Sequence, residues 1–312
     1  MRGELRVTVG NAMPTRRHIL WLAGIIAMLA GTPAPAQDRI NVVATFSILG
    51  DLVKNVGGDR VEVATLVGPN SDTHVFSPTP GDAKKLGAAK VVFVNGLGFE
   101  GWLTRLVKAS GTKAPTVVAG RGVKTRKMED EDHPGRMVTD PHAWQSIANT
   151  KVYVTNIRDA LNKFDPAGAG TYASNAKAYL AKLDALEQEV KAAIAKIPAD
   201  RRKIITTHDA FGYFGDAYGI EFISPEGVST DAEPSAKEVA KIIAQIKKQK
   251  TPAVFLENVT DPRMMQRIAK ESGAKIGGTL YSDALSERNG PAGSYLDMMR
   301  NNVRELAKAL AS

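Results

Sequence analysis

The stretch PAGAGTYASNAKAYLAKLDALEQEVKAAIAKIP, residues 166–198, decides the fold. After Gly168 and Gly170, Ala173, Ala176, Leu180, Leu183, Leu186, Val190 and Ile194 recur every three or four residues. That spacing draws one apolar stripe along an α-helix. Alanine, lysine and glutamate, all strong helix formers, fill much of the rest. Pro198 closes the run. The pattern predicts a single amphipathic helix of roughly 25 residues, nearly 40 Å long at 1.5 Å per residue. Its position between two stretches of a different pattern suits a connector between two lobes.

On both sides of it, β-branched apolar runs alternate with helical ones. Before it, 40–46, 61–67, 90–94 and 116–119 read as strands, and 48–56, 79–89 and 101–110 as helices. After it, 203–207, 220–223, 253–256 and 275–280 read as strands, and 210–218, 235–248, 262–272 and 294–311 as helices. Strands that alternate with helices imply parallel sheets covered on both faces. The expected fold class is α/β: two parallel-sheet lobes joined by one long rigid helix, with a site in the cleft between them. The lobes are expected at 37–165 and 199–312, with the linker helix at 166–198. Lys127 to Thr139, which contains Met128-Glu129-Asp130-Glu131-Asp132-His133, reads as a polar, acidic loop.

Residues 1–36 read as an export signal. Arg16 and Arg17 precede an apolar run, 19–30, that is short for a membrane span, and Ala34-Pro35-Ala36 offers a cleavage site before Gln37. The arginine pair also suits a twin-arginine signal, and Met13 is an alternative start. A periplasmic location is expected. The sequence contains no cysteine. This leaves no disulfide and no thiolate ligand, and no lipid-bearing cysteine is expected after the cleavage site. Removing residues 1–36 takes four of the 41 basic residues and one of the 33 acidic, leaving a net charge of +5. So mild an excess, without aromatic residues interleaved among the basic ones, does not point to nucleic acid.

Histidine is scarce, with five in 312 residues, and His18 falls inside the expected signal. His74 ends the turn-rich Gly68-Pro69-Asn70-Ser71-Asp72-Thr73 after a predicted strand. His208 directly follows another strand, and Asp283 follows the last one with two residues between. His142 lies in Asp140-Pro141-His142-Ala143-Trp144, where the proline stiffens the backbone. In open α/β sheets, ligands bind beyond the carboxyl ends of strands. Imidazole nitrogen with carboxylate oxygen is a donor set for a borderline metal such as zinc. The separations of 68, 66 and 75 residues are unlike the compact pairs of a zinc finger, so spacing assigns nothing. At each position a hydrogen-bonded loop histidine or a helix-capping aspartate is the plainer alternative.

The chain nonetheless resembles the metal-binding solute receptors of ABC importers, which feed zinc, manganese or iron to a membrane permease. The likeness rests on Val67-Gly68-Pro69 leading to Asp72-Thr73-His74, on Pro78-Thr79-Pro80-Gly81-Asp82, and on Asp140-Pro141-His142-Ala143-Trp144. It continues through Thr207-His208-Asp209-Ala210-Phe211-Gly212-Tyr213-Phe214 and Leu280-Tyr281-Ser282-Asp283. The resemblance implies four metal ligands at His74, His142, His208 and Asp283. It also implies a transient partner, the ABC permease of the inner membrane, and a monomer that is not an enzyme. Members thought to carry manganese or iron tend to place glutamate at the third position, where this chain has His208. Three imidazoles and one carboxylate suit four-coordinate Zn²⁺. Zinc is therefore the expected cargo and Mn²⁺ the alternative. Many zinc members carry a long histidine-rich loop near residues 127–139, whereas this chain has His133 alone there. A periplasmic zinc hydrolase with Asp283 as base is the rival from another class, and it would need an open coordination position. No organic solute is expected, since aromatic content is only 6%. Asp140, Asp209, Glu226 and Glu257 are available by type to orient the imidazoles. Sequence does not pair them.

Overall fold

The computed structural model describes residues 3–4, 39–129, 135–225, 227, 230, 234–249 and 251–311. Apart from Gly3 and Glu4, the expected export signal lies outside the described residues. So do His133 and Glu226.

β1 (Ile40–Phe46) is buried from Val42 onward without alternation, as a strand covered on both faces must be. α1 (Ser47–Gly57) follows and stops where Gly58 turns left-handed at φ 59°. Next come β2 (Val61–Val67), α2 (Pro80–Ala88), β3 (Val91–Val94), α3 (Leu103–Ser110) and β4 (Thr116–Val118). Thr79 and Asp82 start α2 with a capping box, each side chain accepting from the other's backbone N–H, and Pro80 supplies a preset φ. The strands pair in parallel in the order β2-β1-β3-β4.

Two elements here differ from the sequence expectation. The 127–139 stretch is not all loop: β5 (Lys127–Glu129) and β6 (Met137–Thr139) pair antiparallel. Strands of three residues are too short for an alternation to register. The second is an added helix, α4 (Ile147–Phe164). It buries Asn149 and Thr150 beside Ile147, Tyr153, Val154, Ile157 and Leu161. Those polar residues on the inner face hide its period.

The long helix, α5 (Ala169–Ala195), runs 27 residues after a 3₁₀ turn at Pro166–Gly168. Its buried stripe is Tyr172, Ala176, Tyr179, Leu183, Leu186, Val190 and Ile194. Tyr172 and Tyr179 stand where Ala173 and Leu180 were expected. Tyrosine pairs an apolar ring with a polar tip, so a hydrophobic pattern undervalues it. The helix packs on α1 and α4 and on the C-terminal helix, so it is embedded rather than a free strut.

The second lobe contains β7 (Lys203–Ile205), α6 (Gly212–Tyr218), β8 (Glu221–Ile223), α7 (Ala236–Gln249), β9 (Ala253–Glu257), α8 (Pro262–Ser272), β10 (Lys275–Leu280) and α9 (Tyr295–Leu310). Its parallel order is β10-β9-β7-β8. β10 shifts register between Ile276 and Thr279, where Gly278 adopts φ 134°, a conformation open to glycine alone. Residues 39–312 form one compact unit. One apolar core runs from Val42 through Trp144 and Leu183 to Leu310, across both lobes. A second, smaller cluster joins Ile205 and Val254 to α7 and α8 through Ile242, Ile246, Met265 and Ile268. Truncating a fully buried residue of the continuous core, such as Leu183, to alanine would cost about 2–5 kcal/mol.

Candidate metal centre

His74 lies in the loop after β2 and His142 in the turn before the 3₁₀ segment Ala143–Gln145. His208 follows β7, with Thr206 and Thr207 between, because the strand ends at Ile205 rather than at Thr207. Asp283 comes three residues after Leu280 ends β10. Loops of both sheets thus converge, and one donor atom from each of the four residues lies within 4.8 Å of every other. His74 Nε2 stands 3.3 Å from His142 Nε2 and 3.1 Å from Asp283 Oδ2. His208 Nε2 is 3.2 Å from the same oxygen, and His142 Nε2 is 3.6 Å from Asp283 Oδ1. A tetrahedral ion with bonds of roughly 2.0–2.1 Å places its donors about 3.3 Å apart. These contacts match that spacing.

His142, His208 and Asp283 are fully buried, while the His74 side chain keeps 8% exposure and so marks the mouth. Phe99 stands edge-on to His74 at 5.0 Å between ring centroids, and Trp144 to His142 at 5.3 Å, backing the site with apolar surface. Burial pushes the His142 imidazole down, but the charge of Asp283 and the bond to Asp140 outweigh it and hold the group at about 9. His208 is likewise held well above the ordinary histidine range: burial opposes this, but Glu257 and Asp283 prevail. Burial would raise Asp283, yet the two imidazoles keep it well below the usual carboxylate range. All three shifts describe a pocket that favours positive charge.

Behind the imidazoles stand two more buried carboxylates. Asp140 Oδ1 accepts from the backbone N–H of His142 and lies 2.9 Å from its Nδ1. Glu257 Oε2 lies 2.6 Å from His208 Nδ1. With Nδ1 facing a carboxylate, Nε2 is the atom left to bind a cation. Arg126 spans Asp140 at 3.2 Å and Asp216 at 3.3 Å. Among the described residues Asp209 is hydrogen-bonded to no imidazole; burial and the Asp140 charge raise its carboxyl, and it lines a cavity of about 470 Å³ beside Arg126. Asp72 takes the His74 backbone N–H and also accepts from the Thr230 hydroxyl of the other lobe.

Buried polar atoms without a hydrogen-bond partner gather here too. Among the described residues they include Thr73 Oγ1, Gln145 Oε1, Thr207 Oγ1, Ser282 Oγ and Asp283 Oδ1. Such atoms are costly in an apolar interior, and an ion or bound water satisfies them. The arrangement has the donors, the charge and the spacing to hold one divalent cation.

Known proteins point the same way. Residues 42–309 match the family described as zinc-uptake complex component A, periplasmic. The chain is 32% identical over 296 residues to the manganese ABC transporter substrate-binding lipoprotein PsaA of Streptococcus pneumoniae, covering 93% of this chain and 95% of that one. It is 31% identical over 287 residues to the iron-binding protein YfeA of Yersinia pestis, covering 92% and 91%. Among solved structures, the periplasmic zinc-binding protein TroA of Treponema pallidum superposes with a TM-score of 0.82 at 30% identity, over 88% of this chain and all of that one. The fold and site define a solute-binding receptor of the kind that serves ABC importers. The chain belongs to the ZnuA family of metal-binding receptors, whose members are receptors and not enzymes.

Proposed function

We propose that this protein is an exported receptor that captures Zn²⁺ between His74, His142, His208 and Asp283 and hands it to an ABC permease of the inner membrane. The observation that carries the reading is the convergence of three imidazoles and one carboxylate within 4.8 Å. Zinc is favoured over manganese and iron because three nitrogens and one oxygen form a soft, four-coordinate set. The relatives' names divide among zinc, manganese and iron, so the choice rests on this donor set. A set supplied wholly by side chains leaves no position for a reacting water, which speaks for capture over hydrolysis. On this reading residues 1–36 are the export signal and 37–165 and 199–312 the two lobes, linked through 166–198. The receptor is a periplasmic monomer that meets the permease transiently. Several relatives are named lipoproteins, whereas these 312 residues include no cysteine.

Calorimetry on chelator-stripped protein tests the proposal. One zinc should bind per chain, at least about tenfold more tightly than manganese. Alanine at any of the four positions should weaken it. Manganese binding that equals or exceeds zinc would defeat the zinc assignment, and binding unaffected by the four substitutions would defeat the site.

A further inference from the structure

We infer that Glu257 is a positioning residue that fixes the tautomer of His208, and that it does so through a geometry different from that of Asp140 behind His142. The inference rests on the proposed site and extends it to a residue outside the four donors.

Glu257 ends β9 and is 4% exposed. Its Oε1 accepts two backbone N–H bonds, from Thr207 at 2.7 Å and from His208 at 3.0 Å. One oxygen thus holds the second and third residues after the end of β7. Its Oε2 stands 2.6 Å from His208 Nδ1, off the axis of an ideal hydrogen bond. Neither atom has a hydrogen-bond partner elsewhere among the described residues. The carboxylate is therefore split: one oxygen holds the loop, and the other makes Nδ1 carry its proton. Asp140 divides its work otherwise. Its Oδ1 serves both the backbone N–H and Nδ1 of His142, and its Oδ2 faces Arg126.

This difference makes the amide variants unequal. In Glu257→Gln, the two backbone donors require the amide oxygen at the Oε1 position. The amide NH₂ then faces His208 Nδ1 and can only donate. Nδ1 must become the acceptor, and the ring proton moves to Nε2, the atom that has to bind metal. In Asp140→Asn, an amide oxygen at the Oδ1 position still accepts from both His142 groups, so that tautomer survives. Its NH₂ meets Arg126, which retains Asp216.

The experiment combines long-range ¹⁵N–¹H NMR of the metal-free full chain, recorded at a pH high enough for the His142 and His208 rings to be neutral, with zinc titrations of wild type, Glu257→Gln and Asp140→Asn. His208 Nδ1 should carry a proton in wild type and lose it in Glu257→Gln. His142 Nδ1 should keep its proton in Asp140→Asn. Zinc affinity should fall roughly 10–100-fold in Glu257→Gln, the usual loss for a residue that orients a metal-binding histidine, and several-fold less in Asp140→Asn. A variant that merely loosened packing would leave Nδ1 protonated. Nδ1 still protonated in Glu257→Gln, or equal zinc losses in the two variants, would overturn the inference. Failure of wild type to bind zinc would instead overturn the receptor reading, while the metal-free NMR comparison would still decide the role of Glu257.

Discussion

The indole Nε1 of Trp144 donates to the carbonyl oxygen of Ser282 at 2.9 Å, and Gln145 Nε2 donates to the same oxygen at 2.8 Å. The turn that carries His142 thereby grips the residue before Asp283. Asp283 belongs by sequence to the second lobe, yet its segment is tied to the first on both sides. Leu285 N–H donates to Ser47 Oγ at 2.9 Å, and Asn70 N–H donates to Leu285 O at 2.9 Å.

That double donation predicts non-additive mutants. Gln145→Met removes one bond but also the unpaired Oε1, so its cost should stay below about 1 kcal/mol. Trp144→Phe removes the other donor and adds the cost of a partly emptied core position. Together they leave a buried carbonyl without either bond. The double variant should therefore lose about 1–2 kcal/mol more than the sum of the singles, measured by denaturant unfolding of the metal-free protein. Strict additivity would show that the two donors do not share one role.

Much of this fold can be read from the sequence, where the period is clean. α5 shows its stripe, and β1 shows its unbroken apolar run. α4 does not, because Asn149 and Thr150 are buried on its inner face, where Thr150 donates to Trp144 O and Ser146 O and bonds with the Tyr295 hydroxyl. The four donor residues are visible as loop histidines and an aspartate at strand ends. The groups that orient them are not visible. Glu257 and His208 are 49 residues apart, and only the pairing of β9 beside β7 joins them. No local pattern encodes that contact, and the Trp144–Ser282 bond, 138 residues apart, is still further from sequence reach.

Metal and protons should compete. Binding needs Nε2 of each imidazole free, while the metal-free pocket holds His142 at about 9 and His208 well above the ordinary histidine range. Both groups have folded pKa values above the ordinary 6.5. Their contribution to metal-free stability is thus complete below about 6.5 and is lost as pH rises through the folded values. Zinc affinity runs the opposite way, falling with each step of pH from about 9 downward. The sequence alone would place this window at 6.5 and below; the buried carboxylates move it up. Zinc titrations from pH 6 to 9 with proton-release calorimetry should show the slope, and an affinity flat over that range would refute it. At a hundredfold excess over Kd, zinc should add about 2.7 kcal/mol of stability at a given pH.

Asp51 sets a second pH dependence, away from the metal. It accepts from Tyr295 N–H at the start of α9 and from Asn55 Nδ2. Burial pushes its carboxyl up to about 6 in spite of both bonds. A folded value above the unfolded one means the folded protein holds this proton more tightly. The stabilising effect is full below about 4 and is lost as pH rises to about 6. Asp51→Asn keeps an acceptor for Tyr295 and removes the ionisation. Melting temperatures of the metal-free proteins should show the variant gaining on wild type by about 1–3 kcal/mol between pH 4 and 7. A gap independent of pH would mean that Asp51 ionises as freely folded as unfolded.

The donor count at the third position tests the zinc assignment, and the structure shows why one substitution is not enough. His208→Glu would replace an imidazole with a carboxylate, giving the two-nitrogen, two-carboxylate set that suits harder cations such as Mn²⁺. Glu257 Oε2, however, is 2.6 Å from the His208 ring. A glutamate at 208 would stand close to a second buried carboxylate with the Asp283 charge beside it. Like charges in so dry a site resist joint ionisation. His208→Glu alone should bind every metal poorly and melt earlier. His208→Glu with Glu257→Gln removes one of the clashing charges. The double variant should regain metal binding and narrow the zinc-over-manganese ratio by roughly tenfold or more, read from competition titrations. If the single variant already binds manganese well, the repulsion from Glu257 is absent. If the double variant binds metal but ranks zinc and manganese as wild type does, nitrogen count does not set the preference.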